Sequence, residues 1–314
     1  MLIKLLSYNS FMRPPPIGIF SEYKEERLNH LIKDKFDQFD IICLQEMFGN
    51  LNNRRDRLKN NMKEKGFKYS SNCSENCFLC NGKLIDCGLL VLSRHKILKT
   101  KFKSFNSSTD VDSLAEKGIL YCLINLPNNI PLHIFNLHMQ ASYNYIPNNK
   151  SIKVREEQLE IIFNFIKSII NDKDTLIGPI ILTGDFNINS LLNSNLNEKE
   201  NNIIKKEFDN FNKKIEKFIK EIDINYKYAE NIFFDKYKKN IKTMIPYEWS
   251  KINKKSIRSS LFLNPKIKLE DSKETFWAPQ CLDYTFLINP KKKNIYANVI
   301  SCEINSFSIK NKQY

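Results

Sequence analysis

The stretch from Pro179 to Asn189 constrains this chain more than any other. Its apolar run Ile180-Ile181-Leu182-Thr183 is closed by Gly184, so it predicts a short strand buried on both faces. Such a strand carries Asp185 and Asn187 to its C-terminal end, where open α/β sheets bind ligands. Two residues apart on extended backbone, these side chains point to the same side. Gly, Asp and Asn are also common turn formers. What decides between turn and site is the rest of the chain.

Similar runs recur. Leu2 to Asn9, Phe39 to Glu46, Cys87 to Ser93, Gly118 to Asn125 and Leu132 to His138 all read as strands, and Pro127-Asn128-Asn129 marks a hairpin between the last two. Leu282 to Ile288 and Tyr296 to Ile304 read as late strands. Between them, Leu28, Leu31, Ile32 and Phe36 recur at helical spacing, as do Leu159, Ile162, Phe163 and Ile166 within a helix from Ile152 to Ile170. A more polar helix is expected from about Leu51 to Lys65. The pattern predicts one α/β domain over residues 1–314. Its Lys/Asn-rich helical insertion falls at about 191–244, with Ile204, Phe208, Phe211, Ile215, Phe218 and Ile219 on one face.

With 42% hydrophobic and 12% aromatic residues, the 314-residue chain has enough apolar material for a large core, which excludes wholesale disorder. The net charge of +14 suits an anionic partner: nucleic acid, phospholipid or a phosphate ester. Lys is spread along the chain rather than gathered, which argues against a dedicated nucleic-acid module. The apolar start at Met1 to Asn9 is too short for a signal peptide, and no run reaches membrane-spanning length. The expectation is a cytoplasmic protein, peripheral at membranes. In that compartment Cys43, Cys122, Cys281 and Cys302 would be small core residues. Cys77-x-x-Cys80 has metal-ligand spacing, and Cys73 and Cys87 are close enough to complete a four-thiolate Zn²⁺ site. The alternative there is a loop with exposed or redox-active thiols.

Several polar residues then fall at strand ends: Asn9, Glu46, His138, Asp185, Asn187 and Asp283. Burying Glu46 unpaired would cost several kcal/mol, so it needs a cation or a hydrogen-bond network. A lone carboxylate of this kind suits a hard cation such as Mg²⁺, completed by substrate phosphate. With an amide to orient phosphate oxygens and a His to meet developing charge, the set suits phosphoester hydrolysis.

The order Ser7-Tyr8-Asn9, Leu44-Gln45-Glu46, Gly88-Leu89 with Ser93-Arg94, Asn136-Leu137-His138, Gly184-Asp185-Phe186-Asn187 and Leu282-Asp283-Tyr284 resembles the endonuclease/exonuclease/phosphatase superfamily. Glu116-Lys117-Gly118, His138-Met139-Gln140-Ala141 and Val154-Arg155-x-x-Gln158-Leu159 are similar to its neutral sphingomyelinase branch. The resemblance implies a two-layered β-sandwich flanked by helices, the DNase I-like fold. It also implies Mg²⁺-dependent phosphodiester hydrolysis, with Mn²⁺ as a substitute, and a phospholipid membrane surface as the source of sphingomyelin. By the same resemblance Glu46 would be the principal metal ligand with Asn9 beside it. His138 would stabilise the transition state, Asn187 would hold a phosphate oxygen, and Asp185 would orient or activate water. Lys117 would place charge near the phosphate, and Asp283 would support the site.

Two departures stand out. Cys281 occupies a position where an Arg often precedes Leu-Asp-Tyr. The four His residues are His30, His95, His133 and His138, so the family's closing Ser-Asp-His unit is missing. The chain reaches Tyr314 about where that unit and the last strand would begin. The expectation is therefore either truncation or a divergent member lacking its base, with activity impaired by roughly 10² to 10⁴. The alternatives are a nuclease or inositol phosphate phosphatase of the same superfamily, or an inactive phosphate- or lipid-binding member. Phe11-Met12, Phe262-Leu263 and Phe276-Trp277 are candidates for touching a membrane. Oligomeric state is left open.

Overall fold

The structure is a computed structural model, and it describes residues 1–14, 24–73, 84–143, 146–194, 196–223, 225–240, 243, 280–291, 295–304, 308–309 and 312–313. Two sheets pack face to face. The smaller, ordered β1-β2-β4-β3, contains β1 (Leu5–Asn9), β2 (Ile41–Gln45), β3 (Tyr69–Asn72) and β4 (Leu90–Ser93). The larger, ordered β5-β6-β7-β8-β10-β9, contains β5 (Lys96–Ser104), β6 (Gly118–Leu126), β7 (Ile130–His138), β8 (Ile180–Asp185), β9 (Tyr226–Asn231) and β10 (Asp283–Pro290). A short hairpin, β11 (Ser308–Ile309) with β12 (Lys312–Gln313), stands apart from both.

The layers explain the continuous apolar runs. In β2, Ile41 and Cys43 face the space between the sheets, where they meet Leu120, Cys122, Ile124 and Ile134. Ile42 and Leu44 face outward onto Leu28 of α1 (Lys24–His30) and Leu58 and Met62 of α2 (Arg54–Glu64). Both faces are covered, so no polar alternation survives in the strand. On the far side of the larger sheet, Tyr121, Phe135 and Leu182 pack with Leu159, Ile162 and Ile166 of α3 (Asn149–Ile170). Phe211, Ile215 and Phe218 of α4 (Glu198–Glu221) join the same core. The result is the expected β-sandwich flanked by helices.

β7 and β8 are parallel, and α3 supplies the crossover such a pair requires. Between β6 and β7, Asn128 and Asn129 adopt φ of 62° and 55°, backbone that Asn tolerates in a tight hairpin. Between the sheets, the Gln45 amide donates to Asn136 Oδ1 at 2.7 Å, and Asn136 Nδ2 donates to Leu44 O at 2.9 Å. That amide pair ties the layers together directly beneath the strand ends.

Three expectations change. Tyr296 to Ile304 forms no strand; Ile300 is 76% exposed, and β9 already occupies the edge beside β10. β9 itself comes from the stretch expected to be a helical insertion, so that stretch contributes α4, an edge strand and α5 (Ile232–Tyr237). The four-thiolate zinc reading is also corrected. Cys73 and Cys87 are paired with each other as a disulfide, which leaves no thiolate pair there for Zn²⁺. Cys77 and Cys80 lie outside the described residues, as do Phe262, Leu263, Phe276 and Trp277. Cys43, Cys122, Cys281 and Cys302 are buried.

Candidate active site

The register lines up the strand ends. Gly118 sits opposite His138, His138 opposite Asp185, and Asp185 opposite Asp283, which sets four neighbouring strands of the larger sheet in one row. From the smaller sheet, Asn9 pairs with Gln45, and Glu46 follows at the next position. The two sheets meet at Asn9, whose Nδ2 donates to Glu46 Oε1 at 2.9 Å and to Asp185 Oδ2 at 3.1 Å. His138 Nε2 lies 4.0 Å from Glu46 Oε1 and 3.8 Å from Asp185 Oδ2.

Local backbone makes this convergence possible. Glu46 and Asn187 adopt φ of 55° and 54°, the left-handed region that non-glycine residues enter at a cost of about 1–3 kcal/mol. Gly184 has φ of +137°, and a Cβ there would lie 2.1 Å from Leu137 O. Only glycine lets β8 run this close to β7 and bring Asp185 beside His138. Asn187 closes the turn by donating its backbone N–H to Asp185 Oδ1 at 2.9 Å and its side-chain Nδ2 to Met139 O at 3.0 Å.

Glu46 is 3% exposed. Burial alone would raise its pKa, but the Arg13 guanidinium, with help from His138 and Asn9, holds it down at about 2. Arg13 Nε donates to Oε2 at 2.5 Å, and Nη2 lies 3.4 Å from Oε1. Asp185 behaves in the opposite way: burial and the facing Asp283 push its carboxyl well up, against the pull of Lys117 and Asn9. Burial likewise raises Asp283 to about 6, with Glu46 adding to the shift and a Thr243 hydrogen bond opposing it. His138 is lowered to about 3 by burial and by the Lys117 charge, so it is neutral near pH 7.

Lys117 stands against His138. It is buried at 5% exposure, and its ammonium contacts Asp112 Oδ2 at 2.9 Å, His138 Nε2 at 3.0 Å and Met139 O at 2.6 Å. Its three N–H donors are thus engaged by protein, and its charge stands beside His138 and bears on Asp185. Asp112 also accepts from Ala141 N and Tyr143 Oη, both at 2.7 Å.

The His138-Met139-Gln140-Ala141 segment is held from behind. Gln140 N donates to Gln158 Oε1 at 2.8 Å, and Arg155 Nη1 donates to Gln140 O at 3.0 Å. Arg155 Nε reaches Glu207 on α4 at 2.7 Å. The Arg155 and Gln158 motif is therefore scaffolding for the loop after His138. His133 is outside the site: it lies 3.0 Å from Tyr121 Oη and 2.7 Å from Leu176 O.

Sequence reasoning missed Arg13, Asp112, Tyr143 and Thr243. Of these only Arg13 carried a visible signal, as a lone cation four residues past Asn9 and followed by a proline run.

Among the described residues no group of three or more His, Cys, Asp and Glu side chains is arranged to hold a metal by itself. A hard cation completed by water and substrate does not need one. Glu46 and Asp185, bridged by an Asn9 side chain whose Oδ1 accepts from Phe11 N at 3.1 Å, provide an oxygen-rich donor set around one firmly ionised carboxylate, Glu46, of the kind that suits Mg²⁺. The buried Glu46 carboxylate is held ionised beside the Arg13 guanidinium. The residues present fit the ion.

With this architecture in hand, comparison with known proteins places the chain. The profile of the Endonuclease/Exonuclease/phosphatase family matches residues 6–201, and the chain belongs to that family. Within it, the chain is 32% identical over 177 residues to a sphingomyelinase of Dictyostelium discoideum, a match covering 48% of this chain and 38% of that protein. A sphingomyelinase C of Bacillus cereus is 25% identical over 221 residues, covering 63% of this chain and 60% of its own length. The chain thus spans less than two thirds of these relatives. Among solved structures, SmcL superposes with a TM-score of 0.58 at 22% identity, covering 95% of this chain and 85% of SmcL. A Staphylococcus aureus beta toxin variant with bound magnesium ions gives 0.54 at 17% identity, covering 91% and 84%. These likenesses show the fold.

Proposed function

We propose that this chain is a divalent-metal-dependent phosphodiester hydrolase that cleaves sphingomyelin to ceramide and phosphocholine. The observation that carries the reading is the junction of the sheets, where one Asn9 amide bonds both Glu46 and Asp185 while His138 stands within 4.0 Å of both carboxylates. The similarity to proteins named sphingomyelinase supports the lipid substrate, and the magnesium bound by the beta toxin variant supports the metal.

Glu46 and Asn9 would hold Mg²⁺, which when bound supplies Lewis acidity toward a phosphoryl oxygen. Asp185, with its raised proton affinity, is placed to orient a water and accept its proton. Asn187 holds the turn that aims Asp185, and its amide is at hand for a phosphate oxygen. Lys117 fixes the His138 ring, and the pair, with the Lys117 ammonium 3.0 Å from Nε2, meets charge developing on the phosphate. Asp283 keeps the proton affinity of Asp185 high. No helix among the described residues is long and apolar enough to cross a membrane, so access to lipid on this reading is from the surface.

The test is phosphocholine release from sphingomyelin vesicles with Mg²⁺ and with EDTA. Release that needs the metal and vanishes in Glu46→Ala supports the proposal. Nicking of abasic-site DNA without phosphocholine release would move the substrate to nucleic acid, and Mg²⁺-dependent vesicle binding without turnover would make the chain a binding member of its family.

A further inference from the structure

From the contacts around Glu46, we infer that Arg13 is an internal counter-cation that occupies the metal's place, and that loading the site exchanges its guanidinium for the divalent ion. The inference rests on the metal reading above and goes beyond it by naming the residue that governs affinity. Glu46 is almost wholly buried, and its side chain meets Arg13 on both oxygens: Nε at 2.5 Å from Oε2 and Nη2 at 3.4 Å from Oε1. Asn9 takes a further direction on Oε1. A carboxylate forked by a guanidinium has little lone-pair density left for a cation, and two positive groups on one buried carboxylate repel strongly.

Glu46 is not the only group that stabilises the Arg13 charge: Asp112 contributes as well. Arg13 lies outside every helix and strand, between the fully buried Met12 and Pro14. Its guanidinium carbon is 4.8 Å from the centre of the Phe11 ring, so a cation–π contact is available to it without Glu46. Lys117 is not free to take over, because its ammonium is held by Asp112, His138 and Met139 O. The arrangement keeps a buried carboxylate neutralised when metal is absent, and it weakens metal binding relative to a site without the arginine.

The experiment uses the full chain and titrates Mn²⁺ by electron paramagnetic resonance and Mg²⁺ by calorimetry. Arg13→Gln should bind either ion about tenfold or more tightly than wild type, since a competing charge is gone. Arg13→Lys keeps the charge and should stay near wild type. Without metal, Arg13→Gln should melt below wild type, and saturating Mg²⁺ should close that gap. If Arg13→Gln does not fold, wild type decides: the slowly exchanging Arg13 Nε–H resonance, identified by its loss in Arg13→Lys, should turn to fast exchange on adding Mg²⁺. Equal or weaker affinity in Arg13→Gln, or an unchanged Arg13 resonance at saturation, overturns the exchange while leaving the metal reading intact. Failure of every variant to bind either ion overturns both.

Discussion

Glu46 and Asp185 share a hydrogen-bond donor, Asn9, yet their surroundings drive them in opposite directions. At the end of the smaller sheet Glu46 has a guanidinium beside it and stays ionised down to about pH 2. At the end of the larger sheet Asp185 faces a second carboxylate, and burial with Asp283 favours its protonated form. Neighbouring carboxylates whose proton affinities are pushed apart divide labour: one holds charge, the other handles protons. The sandwich produces that division, because each sheet brings its own counter-group to the common corner.

The largest test of this division is kinetic. On the proposed sphingomyelin-hydrolase reading, Glu46→Gln and Asp185→Asn should each lower phosphocholine release by roughly 10² to 10⁴, measured with Mg²⁺ at saturating lipid. Metal affinity should separate them, falling much further in Glu46→Gln. Equal losses of metal affinity would erase the distinction between the corners.

Stability should separate them too. In EDTA, Glu46→Gln leaves the Arg13 guanidinium buried without its carboxylate and should cost about 3–5 kcal/mol by urea unfolding. Asp185→Asn removes a repulsion with Asp283 and should be neutral or stabilising by about 1 kcal/mol. Gly184→Ala should cost on the order of 3 kcal/mol, because the new methyl meets Leu137 O and the backbone φ is unfavourable.

The pH dependence is smaller, and its sign differs between the corners. Glu46 is lowered in the folded state from 4.5 to about 2, so its contribution is complete above 4.5 and is lost as pH falls toward 2. Asp283 is raised from 3.8 to about 6, so the folded state binds the extra proton and stability declines as pH rises through that window. Asp283→Asn should shrink the decline by about 2–3 kcal/mol between pH 4 and pH 7, while the raised Asp185 keeps part of it. Denaturant midpoints of the two proteins across pH 4 to 7 supply the check; parallel curves would reject the assignment.

What the sequence made legible were groups defined by strand ends. Asn9, Glu46, His138 and Asp185 each follow or close an apolar run and Asp283 opens one, and period-two geometry places such residues without tertiary information. β5 was invisible because Lys96, Lys99, Lys101 and Lys103 make it read as a solvated segment; it is an exposed edge strand, where lysines belong. The burial of Lys117 depends on Asp112, in a short turn before β6, and spacing gives no hint that the two pair. Arg13 sits in irregular backbone and meets its partner across 33 residues, so only the folded chain brings it to Glu46. The Cys73 and Cys87 bond was hidden by the more familiar Cys-x-x-Cys spacing between them.

The amide pair of Gln45 and Asn136 has a consequence for how the two sheets can move. A sandwich held by methyl groups alone can shear, since apolar contacts are non-directional and re-form after a small slide. A 2.7 Å hydrogen bond in the dry interlayer does not: a slide of one residue would strand two buried amides and the Leu44 carbonyl together. Asn9 and Asp185 lie on opposite sides of that plane of slip and meet at 3.1 Å. The buried amides therefore act as a dowel that sets the alignment of the candidate site from within the core, and loosening them should blur the site well before the protein unfolds.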